Sequence, residues 1–211
     1  MRSGSPRARQ RRLLRLVARS ALLPTALVGA LYVKWDVFDH RFVTITPGTV
    51  YQSGAIPADE IGDTLRAYGI RTVLDLRRDE VDLIEAERRA VRRAGARHVH
   101  VPMPLRPDDA HVDAFLAAMA AAERPVLVHC QHGEGRSVLM CAIHRIQNEG
   151  WTNAGALAGS VRLPESLRFL ACVCPRVGRF DRDSAKGRIV LGFRRRAAVA
   201  RAEAPAAAAA A

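Results

Sequence analysis

The stretch Val126-Leu127-Val128-His129-Cys130-Gln131-His132-Gly133-Glu134-Gly135-Arg136-Ser137 constrains this chain more than any other, because it sets a cysteine and an arginine six positions apart at a strand-to-helix junction. Pro125 closes the helical run before it, and the β-branched, apolar residues Val126 to Val128 make a short buried strand. A helix starts at about Gly135. The turn between them carries two glycines, the composition that lets backbone N–H groups curl inward around an anion. A phosphate fits such a turn.

Each residue type in the turn has a chemical use. A thiol is a nucleophile only as thiolate, and Cys130 stands where inward amides, the positive end of the following helix and the Arg136 guanidinium all favour that form. The planar fork of Arg136 can grip two oxygens of a phosphoryl group and spread transition-state charge, which a lysine cannot do in the same way. Ser137 can donate a hydrogen bond to the Cys130 sulfur. Gly133 permits the left-handed backbone that turns the loop back on itself. Gln131, His132, Glu134 and Gly135 complete the cradle, Gln131 and His132 through their backbone N–H groups.

His129-Cys130-x5-Arg136-Ser137 resembles the His-Cys-x5-Arg-Ser/Thr signature of the cysteine-dependent protein tyrosine phosphatases, and the chain looks like a bacterial dual-specificity phosphatase. Ile45-Thr46-Pro47-Gly48-Thr49-Val50-Tyr51-Gln52-Ser53-Gly54-Ala55-Ile56-Pro57 resembles their opening segment, with Gln52 where an arginine is usual. Gly69-Ile70-Arg71-Thr72-Val73-Leu74-Asp75-Leu76-Arg77 resembles the strand that follows. The likeness runs from about Thr44 to Gly159. It implies a phosphocysteine mechanism without a cofactor, with His129 orienting the loop and an aspartate protonating the leaving oxygen. Asp108 and Asp109 stand where that aspartate belongs, although an Asp before an amphipathic run is also an ordinary helix N-cap. Glu134, inside the loop, is a third candidate.

The substrate class is a phosphorylated protein or small phosphomonoester, phosphotyrosine foremost, with phosphoserine and phosphothreonine next. Acidic Glu134, where lipid and inositol phosphatases tend to carry a base, argues against highly charged inositol phosphates through like-charge repulsion. Two alternatives stay open: a phosphate-binding module without turnover, and a phosphatase acting on lipid or inositol phosphates. Low-molecular-weight phosphatases share the spacing but open their domain with the loop, which here comes late.

The net charge of +12 suggests a nucleic-acid partner until it is located. Seven arginines and Lys34 lie within residues 1–34, with no acid, so most of the excess precedes the catalytic stretch and no nucleic acid is expected. The uncharged run from Ala21 to Val33 after this basic head points to a membrane anchor, with Tyr32 and Trp35 suited to the interface. Val28-Gly29-Ala30 also resembles a signal-peptide cleavage site, and an amphipathic helix on the inner surface is the remaining reading. An arginine-rich head stays cytoplasmic, so the catalytic domain is expected outside.

Along the rest of the chain, short apolar runs alternate with helical patterns, which predicts an α/β fold with a central, mostly parallel sheet flanked by helices. A hairpin around Pro47-Gly48, strands at 71–76, 97–102 and 126–128, and helices at 58–68, 80–94, 109–122, 135–148, 152–158 and 164–172 follow from this pattern. The catalytic domain is expected over 40–180 and a basic, then alanine-rich, disordered tail over 181–211. His98 and His100 share a strand face without a third ligand nearby, so no metal is expected. The four cysteines form no evident disulfide framework.

Overall fold

The computed structural model of the chain describes residues 20, 22–160, 162–173 and 180–197. Five short strands form one sheet: β1 (Val43–Thr46), β2 (Val50–Ser53), β3 (Thr72–Asp75), β4 (Arg97–His100) and β5 (Val126–His129), in the spatial order β1-β2-β5-β3-β4. β1 pairs antiparallel with β2 through the turn at Pro47-Gly48, where Gly48 takes φ +67°. The other neighbours are parallel, and β5 lies in the middle with β2 on one side and β3 on the other. A strand buried on both faces needs no polar alternation, which is why Val126-Leu127-Val128 is apolar throughout.

The described helices are α1 (22–33), α2 (Ile61–Ala67), α3 (Val81–Arg93), α4 (Asp109–Ala121), α5 (Arg136–Asn148), α6 (Asn153–Ala158), α7 (Leu170–Val173) and α8 (Ala185–Gly192). Two cores separate them. Val126, Val128 and Cys130 face a cluster that includes Phe115 and Met119 of α4, Leu139 and Ile143 of α5, and Val190 of α8. Leu127, between them in sequence, faces the opposite cluster with Ile61 and Leu65 of α2 and Val91 of α3. This period of two decides the site, because it turns His129 toward α3 and Cys130 toward α5.

Two expectations for the ends are corrected within the described residues. Residues 181–197 are not all tail: α8 is capped by Ser184, whose Oγ accepts from Gly187 N at 3.0 Å, and it buries Val190. Asn153 Nδ2 donates to the carbonyls of Val190, Leu191 and Phe193 at 2.7–3.0 Å, fastening the helix end to α6. Residues 198–211 lie outside the described residues. Trp35, expected at a membrane interface, is buried and donates from Nε1 to Phe42 O at 3.0 Å, so it pins the π-helical turn Lys34–Phe38, which follows α1, to the domain. Leu22, Leu23 and Leu27 of α1 are exposed, and no described helix is long and apolar enough to cross a membrane. Residues 1–19 and 21, which hold most of the basic head, lie outside the described residues.

Asn153→Ala leaves three partly buried carbonyls without their shared donor. It should cost about 1–3 kcal/mol, read as a lower urea midpoint at unchanged slope.

Candidate active site

Cys130 follows the last residue of β5, and Arg136 opens α5, so the loop between them lies at the carboxyl end of the central strand, where open α/β sheets place ligands. Gly133 takes φ +68°, and a Cβ there would stand 2.6 Å from Gly54 N. Only glycine fits, because backbone strain and a backbone collision act together. Ala55 N donates to Gln131 O at 3.1 Å, tying the loop to the end of β2.

Cys130 is buried, and Ser137 Oγ lies 3.3 Å from its sulfur. Burial pushes the thiol upward. The Ser137 hydroxyl and amide, the Gly133 amide and the Arg136 charge outweigh it, so the pKa ends below the ordinary thiol value. Cys141, on the next helix and fully enclosed, has no such donors and is pushed up to about 12. The guanidinium of Arg136 is steadied from its Nη1, which donates to Leu76 O at 3.1 Å and Met103 O at 3.3 Å. Cys130, His132, Glu134, Gly135 and Arg136 all line one cavity of about 600 Å³.

Gln52, which departs from the family pattern, turns out to brace the loop. Its Nε2 donates to Gly133 O at 3.0 Å and to Ser137 Oγ at 3.1 Å from a buried position. With its oxygen taken as an acceptor there, the Ser137 hydroxyl keeps its proton for the Cys130 sulfur or the Ser53 carbonyl. The other brace is Arg41, at the unusual φ of +55°. Its Nη1 donates to His132 O at 2.7 Å and pairs with Glu134 Oε1 at 2.9 Å. Glu134 is therefore neutralised from outside, and the repulsion expected of it toward polyanions is largely cancelled.

Beneath the loop lies a buried charge cluster. Arg77 Nη2 is 2.8 Å from Asp75 and 2.7 Å from Glu87, with all three side chains at most 3% exposed. His129 Nε2 is 2.8 Å from Glu87 Oε1, and His98 Nε2 is 3.3 Å from the same oxygen. Two carboxylates against one guanidinium leave one negative charge, and a proton on one imidazole balances it. Burial pushes His129 down, yet Glu87 and Asp75 outweigh it and hold the imidazole above its ordinary range. Glu87, pushed up by burial, is drawn down to about 2 by His129, His98 and Arg77.

The two histidines of β4 do not act as a pair. His98 points into this cluster, while His100 Nε2 lies 2.8 Å from Arg77 O. Asp75, Glu87 and His98 are close enough together to hold a metal, which answers the missing third ligand. Arg77 already supplies the cation between the two carboxylates.

The two aspartates expected as acid are not brought to Cys130. Asp108 caps α4, accepting from His111 N at 3.0 Å and lying against the His111 ring. Asp109 pairs with Arg196 at 2.6 Å. Both line a different cavity, against Arg188 and Arg196 of the C-terminal segment. The carboxylates that line the Cys130 cavity are Glu134 and Asp181. Asp181 carries no sequence signal, since it falls outside every pattern the loop defines.

Comparison with known proteins follows the same geometry. Residues 39–163 match the family described as PTP-NADK, DSP-PTPase phosphatase fused to NAD+ kinase. Over 112 residues the chain is 36% identical to the dual specificity protein phosphatase TpbA of Pseudomonas aeruginosa strain UCBPP-PA14, covering 52% of this chain and 48% of that protein. The matched part is thus about half the length of the curated relatives. The crystal structure of P. aeruginosa TpbA superposes with a TM-score of 0.56 at 27% identity, over 74% of this chain and 86% of the other. The core catalytic domain of the PP-IP phosphatase SIW14 from S. cerevisiae shares the fold, with a TM-score of 0.50 at 16% identity over 72% and 84% of the two chains.

The buried cluster sets a pH dependence. Asp75 and Glu87 are lowered, so their stabilisation is full above the ordinary carboxylate range near 4.5 and fades as pH falls toward 2. His98 and His129 are raised, so theirs is full below 6.5 and fades as pH climbs through their raised values. Urea unfolding of the native chain should therefore show this contribution at its greatest between pH 4.5 and 6.5. Glu87→Gln should lose about 3–5 kcal/mol and move the optimum upward in pH, because burial would then push His129 down. An unchanged profile would contradict the cluster.

Proposed function

The chain belongs to the DSP-PTPase family of cysteine-based phosphatases, with residues 39–163 matched, and from that membership we propose that it hydrolyses phosphomonoesters, phosphotyrosine first, through a phosphocysteine intermediate. The observation that carries this reading is the lowered thiol of Cys130 in a cavity it shares with the Arg136 guanidinium. The Cys130 sulfur attacks phosphorus, forming the S–P bond as the P–O bond to the substrate breaks. Arg136 and the loop amides hold the equatorial oxygens. The leaving oxygen takes a proton from a carboxylic acid. The resulting carboxylate then takes a proton from water, whose oxygen attacks phosphorus and breaks the S–P bond. Inorganic phosphate departs, and Ser137 donates to the returning thiolate. The names of the TpbA relatives support phosphoserine and phosphothreonine as further substrates.

The acid is Asp181 in this reading. Glu134 is held in an ion pair with Arg41, and Asp108 and Asp109 are engaged away from the cavity. A bound phosphoryl dianion raises a nearby carboxyl toward the protonated state. Turnover of a small aryl phosphate should vanish in Cys130→Ser. Asp181→Asn should slow a substrate with a poor leaving group by ~100-fold more than one with a good leaving group. If Asp108→Asn or Asp109→Asn shows that pattern instead, the loop before α4 swings in to supply the proton. If none does, and Cys130→Ser still leaves no difference from the native chain, the binding-module alternative holds.

The N-terminal segment attaches the chain to a membrane, with the catalytic domain outside the cytoplasm. The seven arginines within residues 1–34 and the exposed leucines of α1 support this. The full chain should float with membranes, and a chain beginning at Lys34, which keeps Trp35, should stay soluble and active. A periplasmic reporter joined after Val43 should be active. A silent periplasmic reporter beside an active cytoplasmic one would put the domain inside.

A further inference from the structure

The stretch between α1 and β1 folds back on itself and closes against the rear of the catalytic loop. Backbone bonds tie its turns, with Asp39 N donating to Lys34 O at 3.0 Å, Arg41 N to Trp35 O at 2.9 Å and Phe42 N to Asp39 O at 2.8 Å. His40 and Arg41 follow one another at φ +47° and +55°. Two successive side chains in the left-handed region are strained, and a glycine would turn the chain without that strain. What the strained turn gains is reach to the site. Gly54 N, directly after β2, donates to His40 O at 2.8 Å, and Arg41 extends across to the loop. A Cβ on Gly54 would press on His40 O at 3.2 Å and on the His132 carbonyl carbon at 3.3 Å. A cleft of about 200 Å³ marks the seam, with Asp36, His40 and Arg41 from this stretch and Gln131 and His132 from the loop.

Arg41 makes three contacts at once. Its Nε donates to Asp36 in the turn Lys34–Phe38, while its Nη1 donates to His132 O at 2.7 Å and pairs with Glu134 Oε1 at 2.9 Å. A guanidinium held at Nε cannot swing on its long stem, so Asp36 aims Nη1 at the loop. With the Arg41 side chain only 17% exposed, its attraction to Glu134 is screened less than that of a surface pair. Both loop contacts bear on an anion. Glu134 lines the Cys130 cavity, where an unpaired carboxylate would repel phosphoryl oxygens. The His132 carbonyl and the Gly133 N–H belong to one trans peptide and point opposite ways, so a carbonyl held outward sends the N–H inward, where it already meets the Cys130 sulfur. Resting on the phosphatase reading above, we propose that Arg41, aimed by Asp36 from the turn after α1, is a positioning residue that sets how tightly the cavity takes a phosphoryl group.

Calorimetry of inorganic phosphate binding to the full-length chain, beside KM and kcat for p-nitrophenyl phosphate, tests this role. Arg41→Met should raise the phosphate Kd and the KM by about tenfold, while kcat changes little, as expected for an interaction that ground and transition states share. In a chain carrying Glu134→Gln, the same substitution should raise Kd by only about threefold, because the charge to be cancelled is gone and only the peptide orientation is lost. Asp36→Asn should raise the phosphate Kd in the native chain and add nothing beside Arg41→Met, since it acts through that guanidinium. Arg41→Lys keeps the charge without the three contacts and should fall between. Matching urea midpoints would show that the variants fold. Should Arg41→Met unfold, Arg41→Lys and Asp36→Asn, each with and without Glu134→Gln, decide in its place. A Kd unmoved by these changes, an equal loss with and without Glu134→Gln, or an Asp36 effect that persists without Arg41 would each overturn the proposal. If the native chain turns over no p-nitrophenyl phosphate, the phosphatase reading fails on its own. The phosphate Kd series then still decides for Arg41, and a native chain that binds no phosphate refutes its role.

Discussion

A guanidinium removed from water must find its countercharges inside the protein, and Arg77 finds them on two different elements, Asp75 at the end of β3 and Glu87 on α3. That requirement holds the helix against the sheet in one register, since any slide of α3 would strand a buried charge at a cost of about 3–5 kcal/mol. Because β5 alternates its faces, His129 enters the same cluster while Cys130 turns toward α5. The strand that carries the nucleophile is thus fixed on its other side by electrostatics. The catalytic loop begins from a residue that cannot rotate without breaking a pair to Glu87.

The loop itself is held from both flanks by residues outside its signature. Gln52 reaches in from β2 to the Gly133 carbonyl and the Ser137 hydroxyl, and Arg41 reaches in from the N-terminal side to the His132 carbonyl and Glu134. Both hold carbonyls on the outside of the turn, which leaves the N–H groups facing the other way, toward an anion. A neutral amide at position 52 also suits Ser137 better than a guanidinium would, because it adds no second positive charge beneath the Arg136 site. Arg41 holds a left-handed backbone conformation to make its contacts, a local strain offset by three polar partners.

What could be read from the sequence was local. The strand Val126–His129, the turn and α5 follow from β-branching, glycine placement and helical spacing within some twenty residues, and so do the hairpin at Gly48 and the helix stops at Gly69 and Gly95. The remainder depended on partners distant in sequence. Glu87 sits in a helix whose charged residues suggest a solvated face, and nothing in the helix itself tells which glutamate turns inward to meet Arg77. Ser184 and Asn153 make α8 a folded helix, yet the arginines and alanines after it dominate the composition of that end. Trp35 looks interfacial by type and is buried because Phe42 offers it a carbonyl. Asp108 showed both meanings, cap and acid, and the cap is the one the described contacts favour.

Cys141 carries a consequence for how such an enzyme survives peroxide. Thiolate character at Cys130 makes its sulfur the first to be oxidised, to a sulfenic acid. Enzymes that shelter this state use a resolving thiol to trap it as a disulfide. Cys141 is fully enclosed and stays protonated up to about 12, so it cannot attack, and Cys172 is exposed on α7 and does not line the cavity. Among the described residues no resolving partner exists. Among the described thiols, then, none relieves an oxidised Cys130, and what can reach it is a small reductant diffusing through the same mouth that admits substrate.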